Sequence, residues 1–473
     1  MTLEAISDIR RVRRARLQPC RRGTAKAVPY VRRLVGRFAA VTMTLLPAAA
    51  LAQPPDAAAV RLTLDEAIRR GLETSQRIAE AVARGDAAEA VVGERHAATL
   101  PQVAALAGYT RTNHVDPFSL LAPGSQFRVI YPDVPDNYRT RLDLQWPIYT
   151  GGRADALERA ARIDATASAD EIAAARSDLT LEITRAYWAL VTATEALRVV
   201  QESVVRVGAH LRDVRNQLAA GLVPPSDVFT VEAQESRQRM LAVQAAATRD
   251  IAEAELARLS GAAPGAALVA EAALDAPPAP AASLETLVAS AREQRPERAA
   301  LVKRVSAAGE RGRAASASTK PTVGVGGGVD YASPNSRFFP REKAWRASWD
   351  ASVNLIWPIF DGGRGRSELA EAAALGRATE ARLADFDASL AVEVRQRRRE
   401  IDASRAAIDA ASDAVRSAAE ARRVLGERFA AGVATSTDVL DAQVALLQAE
   451  LDRTQAMANA HLADARMARA LGR

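Results

Sequence analysis

The chain has one cysteine, Cys20, and four histidines among its 473 residues. A lone thiol closes no disulfide, so an exported form depends on a large core or on oligomerisation for its stability. His96, His114, His210 and His461 are scattered and show no metal-ligand spacing. Acidic residues are plentiful, but they fall on helix faces beside arginines, as solvated helices do, and no nucleophile–base pairing stands out. The run Gly324-Val-Gly-Gly-Gly328 is only superficially like a nucleotide fingerprint, because it alternates as a strand does and no helix follows it. These absences argue against an enzyme, a resident metal or a cofactor. Long hydrophobic runs are missing too. No stretch reaches ~18 consecutive strongly apolar residues, so no transmembrane helix is expected. Any crossing of a membrane has to be made by strands.

What the chain does contain is a repeat. Trp146-Pro-Ile-Tyr-Thr-Gly-Gly-Arg153 returns as Trp357-Pro-Ile-Phe-Asp-Gly-Gly-Arg364, 211 positions later. Sixty-nine residues beyond Gly152 comes Gly221 of Ala219-Ala-Gly, and sixty-nine beyond Gly363 comes Gly432 of Ala430-Ala-Gly. Asp227 and Asp438 follow in matching places. Nearer the start, Leu64 aligns with Leu284 and Pro101 with Pro321, at an offset of 220. The nine-residue difference falls between Pro101 and Trp146, where an exposed loop is expected to absorb it. The repeats span 62–261 and 283–473, joined by a Pro/Ala-rich linker, 262–282.

The formal charge of +6 suggests a nucleic-acid partner until it is located: residues 1–52 carry +9, leaving −3 for the rest. That arginine-rich segment, with an apolar run from Phe38 to Leu46 and Ala50-Leu-Ala52 before Gln53, reads as a secretory leader. Cys20 lies ahead of the apolar run, where a lipid-attachment cysteine would not. A short linker, 53–61, follows. No nucleic acid is expected as a partner.

Each repeat reads as helix, strand, loop, strand, long helix, turn, helix. The first helices are expected at 64–98 and 284–317. From Arg153 to Leu218 there is no proline and a single glycine, Gly208. Within this stretch Leu179, Ile183, Ala186, Leu190, Ala193, Leu197, Val200, Val204, Val207, Leu211, Val214 and Leu218 alternate steps of four and three, a coiled-coil seam. The counterpart at 364–429 has a weaker seam, interrupted at Arg397 and Ser404. Shorter helices at 226–259 and 437–471 follow the turns, so two short helices end to end are expected to flank each long one.

Strands are expected at 102–110, 138–149, 322–331 and 345–360. Tyr138, Thr140, Leu142, Leu144 and Trp146 share one face, opposite Arg139, Arg141, Asp143 and Gln145. Trp345, Ala347, Trp349, Ala351, Val353, Leu355 and Trp357 likewise oppose Arg346, Ser348, Asp350, Ser352 and Asn354. Four of the five tryptophans lie on these two strands, which with Tyr138 suits the aromatic girdles of outer-membrane barrels. Pro147 and Pro358 are expected to end the strands. The pairs Gly151-Gly152 and Gly362-Gly363 then turn the chain into helix.

In the paired Trp-Pro-Ile-[Tyr/Phe]-x-Gly-Gly-Arg segments, the paired Ala-Ala-Gly…Asp-Val turns and the twofold repeat, the chain resembles the TolC-like outer-membrane efflux proteins, or outer membrane factors, from about Leu62 to Arg473. The resemblance implies a membrane protein, mostly α with β, with four strands and long coiled-coil helices per chain. Three chains would pool a twelve-stranded outer-membrane barrel, continued by an α-helical barrel across the periplasm. Such a homotrimer acts as the exit duct of a tripartite efflux pump or a type I secretion system. Its partners are outer-membrane lipid, a periplasmic adaptor and an inner-membrane transporter of RND, ABC or MFS type. By the same resemblance, Gly221, Leu222, Val223, Gly432 and Val433 sit at tips that dock the adaptor, and Asp438 and Asp441 line the constricted periplasmic entrance. The tyrosine and arginine of better-studied gates are replaced by Phe429 and Ala434, which points to a hydrophobic constriction or a looser gate. From the residues themselves, Ser226/Asp227 and Thr437/Asp438 can cap the following helices, the simpler role above all for Asp227. The reading from another functional class is an exported, non-pore coiled-coil scaffold or periplasmic adaptor.

Overall fold

The computed structural model describes residues 60–473 apart from 125, 264 and 278–281. The leader and Cys20 lie outside the described residues. In the first repeat, strand β1 (Val60–Leu62) leads to helices α1 (Leu64–Thr74) and α2 (Gln76–Ala97), then strands β2 (Gln102–Arg111), β3 (Phe118–Ala122), β4 (Gln126–Tyr131) and β5 (Asp136–Tyr149), and helices α3 (Arg153–Ala219) and α4 (Pro225–Ser260). After β6 (Leu268–Ala270), the second repeat contains α5 (Leu284–Gln294), α6 (Pro296–Ser316), β7 (Thr322–Ser333), β8 (Arg346–Ile356), α7 (Arg364–Ala430) and α8 (Ser436–Ala470).

The long helices α3 and α7 have 67 residues each. At ~1.5 Å per residue each is a rod of roughly 100 Å. Helices α2 and α4 both pack along α3, while α6 and α8 both pack against α3 and α7. The layer therefore runs α4–α3–α8–α7 along one half of the rods and α2–α3–α6–α7 along the other. Of the seam read on α3, all but Leu197, Val204 and Leu218 are buried, and those three are half-buried. A second stripe on α3, including Thr184, Trp188, Val191, Val199, Ser203 and His210, is buried as well. A helix inside a layer has neighbours on both sides and must bury two stripes. The edge helix α7 buries fewer positions, among them Leu390, Val394, Ile401 and Ile408.

The expected single helices at 64–98 and 284–317 are each broken in two. Ser75 and Arg295, equivalent at an offset of 220, are extended with φ/ψ of −69/122° and −70/116°. In the second repeat Pro296 enforces the break, since proline disfavours helix for the residue before it. Thr63 and Ser283 cap α1 and α5 by accepting from the backbone N–H of Glu66 and Thr286. These short helices, the parallel β1–β6 pair and the residues around them surround a core of Leu62, Leu179, Ile183, Tyr187 and Leu256 beside the middle of α3. Buried Arg469 near the end of α8 ties the layer together through Asp178 of α3, at 2.7 Å, and Glu297 of α6.

The main sheet has strand order β2-β5-β7-β8 and is antiparallel throughout. Strand β5 does not end at Pro147; it runs on to Tyr149 through a register shift against β7, an irregularity that accommodates the missing N–H. Strand β8 stops at Ile356 rather than 360, because its partner β7 begins at Thr322 and offers nothing further to pair with. The nine-residue excess of the first repeat lies in the stretch holding a separate hairpin, β3–β4, which has no strand counterpart in the second.

Leu179 and its equivalent Leu390 are each 1% exposed. Leu179→Ala and Leu390→Ala are each expected to cost about 2–5 kcal/mol, read as a fall in the thermal midpoint of the folded protein.

Candidate functional sites in the sheet and at the helical tips

The register of the main sheet puts Leu142, Val329 and Trp349 in one row across β5, β7 and β8. Leu144, Gly327 and Ala351 form the next row, and Trp146, Val325 and Val353 the one after. This face is apolar, and its large side chains are exposed: Leu142 53%, Val329 52%, Trp349 72%, Val353 73%. Aromatic rings bound it at one end. Tyr109 lies 5.1 Å from Tyr138, Tyr138 lies 5.9 Å from Trp345, and Tyr331 stacks on Trp345 at 5.0 Å. At the other end stand Trp146 and Trp357, whose indole N–H groups donate to the carbonyls of Thr99 (3.2 Å) and Thr319 (3.3 Å), equivalent residues of the two repeats. Trp349 sits between the rows, within the apolar band. From Tyr138 to Trp146 the strand rises about 25–30 Å at ~3.3 Å per residue, the height of a hydrocarbon layer.

The opposite face is polar and internally paired. Arg139 donates to Asp330 at 2.5 Å. Arg141 donates to Asp143 at 2.8 Å, Asp330 at 2.5 Å and Asp350 at 2.7 Å. Arg337 reaches Asp350 at 3.5 Å. Alternation placed Arg139, Arg141, Asp143 and Asp350 on polar faces, but only the register brings three strands' charges to one point, so this cluster escaped the sequence reading.

At the strand-to-helix junctions Gly151 and Gly152 have φ of 66° and 87°, and Gly362 and Gly363 have 68° and 90°. A β-carbon is strained in this left-handed region, so glycine permits the abrupt turn. The residue before each pair caps the helix: the Thr150 hydroxyl accepts from Ala154 N–H at 3.1 Å, and Asp361 accepts from Gly363 and Gly365 at 2.9 and 2.7 Å.

At the far end, α3 and α7 close in the same way. Leu222 N–H donates to Gln217 O at 2.9 Å, and Val433 N–H to Arg428 O at 2.9 Å, the six-to-one bond of a Schellman cap around Gly221 and Gly432. Leu222 is 74% exposed and Val433 62%, so each tip presents an apolar side chain to solvent. Val223 instead packs partly against the local core.

The turn aspartates differ from expectation. The cap of α8 is Thr435, not Thr437, and Asp438 completes a capping box with it. Thr435 N–H donates to Asp438 at 2.8 Å, its hydroxyl does so at 2.7 Å, and its oxygen accepts from Asp438 N–H at 3.2 Å. The Thr435 backbone N–H, and next its hydroxyl, hold the Asp438 carboxyl below the usual aspartate range. In the first repeat Pro224 occupies the cap position and has neither N–H nor hydroxyl to offer, so Asp227 makes no such box. Capping thus falls to Asp438 rather than Asp227. Both Asp438 and Asp441 are exposed.

Phe429, expected at the entrance, is buried within the chain. It is 6% exposed, packed with Val207, Leu211, Val439 and Leu440, and its ring meets His210 edge-on at 5.0 Å. His210 Nε2 lies 2.9 Å from the Ser436 hydroxyl at the start of α8. Burial pushes the imidazole below its usual value and keeps it neutral at neutral pH.

A family model described as "outer membrane efflux protein" matches residues 67–262 and 287–473, one stretch in each repeat. The chain belongs to the outer membrane efflux protein family. Protein CyaE of Bordetella pertussis is 28% identical over 390 residues, covering 81% of this chain and 78% of CyaE. The fold is that of the outer membrane protein VceC of Vibrio cholerae, with a TM-score of 0.71, 21% identity and coverage of 86% of this chain and 96% of VceC. It is likewise that of the MtrE outer membrane channel of Neisseria gonorrhoeae, with a TM-score of 0.70, 22% identity and coverage of 86% and 88%. As an outer membrane efflux protein the chain is a transport component and not an enzyme. The membership sets aside the reading of a non-pore scaffold or adaptor.

Because Phe429 is core, Phe429→Ala is expected to destabilise this outer membrane efflux protein by about 3–5 kcal/mol. Phe429→Leu should restore most of that loss in the same thermal melt.

Proposed function

We propose that three copies of this chain close into one outer-membrane barrel, continued by a helical barrel through the periplasm, and serve as the exit duct of a tripartite efflux pump or a type I secretion system. The carrying observation is the four-stranded sheet with its exposed apolar face and two unpaired edges, β2 and β8. Open strand edges are not tolerated in lipid. With antiparallel pairing throughout, β2 and β8 run in opposite directions, so β8 of one copy can pair antiparallel with β2 of the next. Two copies would supply about eight strands, a bore that side chains fill, whereas three leave a passage. The helical layer supports the same head-to-tail contact. Its edge helix α4 exposes Phe229, Met240, Val243 and Ile251, and its other edge helix α7 exposes Leu375 and Val392.

In this assembly the apolar face with Tyr138, Trp146, Trp345, Trp349 and Trp357 meets outer-membrane lipid. Leu222 and Val433 at the tips offer small apolar contacts to a periplasmic adaptor, which links the duct to an inner-membrane transporter of RND, ABC or MFS type. Asp438 and Asp441, three positions apart on one helical face, would place six carboxylates around the axis of the trimer. Such a ring favours cations.

The edge pairing is tested by cysteine substitution. Within one chain β2 and β8 are separated by β5 and β7, about 14 Å at ~4.8 Å per strand, beyond disulfide reach. Val103→Cys combined in turn with Ala347→Cys, Ala351→Cys or Val353→Cys is expected to give cross-linked dimers and trimers in outer-membrane fractions. A soluble periplasmic monomer that never cross-links would sink the duct. For the entrance, Asp438→Ala with Asp441→Ala is expected to abolish cation selectivity in planar bilayers. In Asp441→Ala alone, the remaining selectivity should persist as pH falls through about 3.9, the ordinary aspartate midpoint, because the capping bonds favour the charged form of Asp438.

A further inference from the structure

We propose that Arg141 sets the charge selectivity of the barrel itself by offsetting the carboxylates of its inner wall. This rests on the reading of the sheet's polar face as a lumen.

Arg141 stands on β5 and serves carboxylates from three strands. Its Nε donates to Asp143 on β5 at 2.8 Å and its Nη1 to Asp330 on β7 at 2.5 Å. Nη1 and Nη2 together grip both oxygens of Asp350 on β8, at 2.7 and 3.0 Å. Asp350 is two strands away, so the guanidinium has to lie across β7. It can do so because β7 has glycine there. A β-carbon at Gly328 would come within 2.6 Å of Arg141 Nη2 and 2.8 Å of Leu142 O. Gly324 and Gly326 continue the bare strip on the same face, and Ser352 and Asn354 opposite them are short and neutral. The strip both widens the passage and lets one arginine lie flat against the wall.

Within this cluster the charges balance. Arg139, Arg141 and Arg337 face Asp143, Asp330 and Asp350, and each is paired. At the cluster's rim Arg346 is matched by Glu342 at 2.6 Å, while Arg341 bonds to the neutral side chains of Tyr131 and Asn137. Loss of Arg141 leaves one excess carboxylate per chain, three around the barrel at one height. Fixed charges in a narrow aqueous passage act over a Debye length of about 8 Å at physiological salt and bias which ions pass. Arg141 is thus a specificity-determining residue at the exit, separate from the entrance aspartates.

The test uses the full trimer in planar bilayers, with Asp438→Ala and Asp441→Ala present so that the entrance contributes nothing. The reversal potential of this background in a KCl gradient is the reference. Arg141→Gln should make the channel cation-selective, with the K⁺/Cl⁻ permeability ratio rising on the order of threefold or more. Asp350→Asn should move it toward anions. Arg141→Gln with Asp350→Asn should return it to the reference value, a rescue that a purely structural role would not give. An unchanged reversal potential in both single variants overturns the proposal. If Arg141→Gln fails to insert, Asp350→Asn alone decides by the sign of its shift. Ser352→Cys treated with a charged, water-soluble thiol reagent tests the lumen separately. No reduction in conductance means the polar face is not a lumen, whereas block with unchanged selectivity in the charge variants overturns only the role of Arg141.

Discussion

Backbone pairing is the constraint on which everything else depends. Strands β2 and β8 leave unpaired edges on a sheet whose exposed face is apolar and bounded by aromatic rows. Hydrocarbon provides no partner for a backbone N–H or carbonyl. A chain that contributes only four strands to the main sheet cannot meet that requirement alone. The proposed head-to-tail assembly follows from this need more than from any side-chain contact. The long helices inherit it, because the glycine pairs at 151–152 and 362–363 turn the chain after β5 and β8 into a 67-residue rod.

The duplicated unit keeps its frame through small devices repeated at equivalent places. Trp146 and Trp357 bond to Thr99 and Thr319, Thr150 and Asp361 cap the rods, and Ser75 and Arg295 break the first helices with the same backbone angles. The copies differ at a few places that change local bonding. Thr435-Ser436 in the second repeat stands where the first has Pro224-Pro225, so only the second turn has a capping box, and only it gives His210 a hydroxyl to meet. Arg139 in the first repeat corresponds to Asp350 in the second, and that divergence supplies the opposite charges that pair across the sheet.

Periodicity and repetition made much of the fold legible. The four sheet strands, the long rods, the glycine turns and the apolar faces are local patterns, each visible in a window of a few residues. Pro296 stands at one helix break inside the single helix expected at 284–317, whereas the equivalent break at Ser75 is followed by Gln76 and carries no proline. The β1–β6 pair joins residues more than two hundred positions apart and is three residues long, too short to show a period. Phe429 was placed at an entrance by resemblance. Its burial against His210 and Val439 depends on three helices meeting, which no local window contains.

By itself the sequence determined the duplication, the strand-to-helix handover and the amphipathic faces, because these follow from backbone chemistry and from the periods of strand and helix. Only the tertiary structure decided that Phe429 is core and that Arg141 crosses Gly328 to reach Asp350. Those outcomes depend on register and packing between elements distant in the chain. A single residue's slip in register would have carried Arg141 or Asp350 to the other face of the sheet.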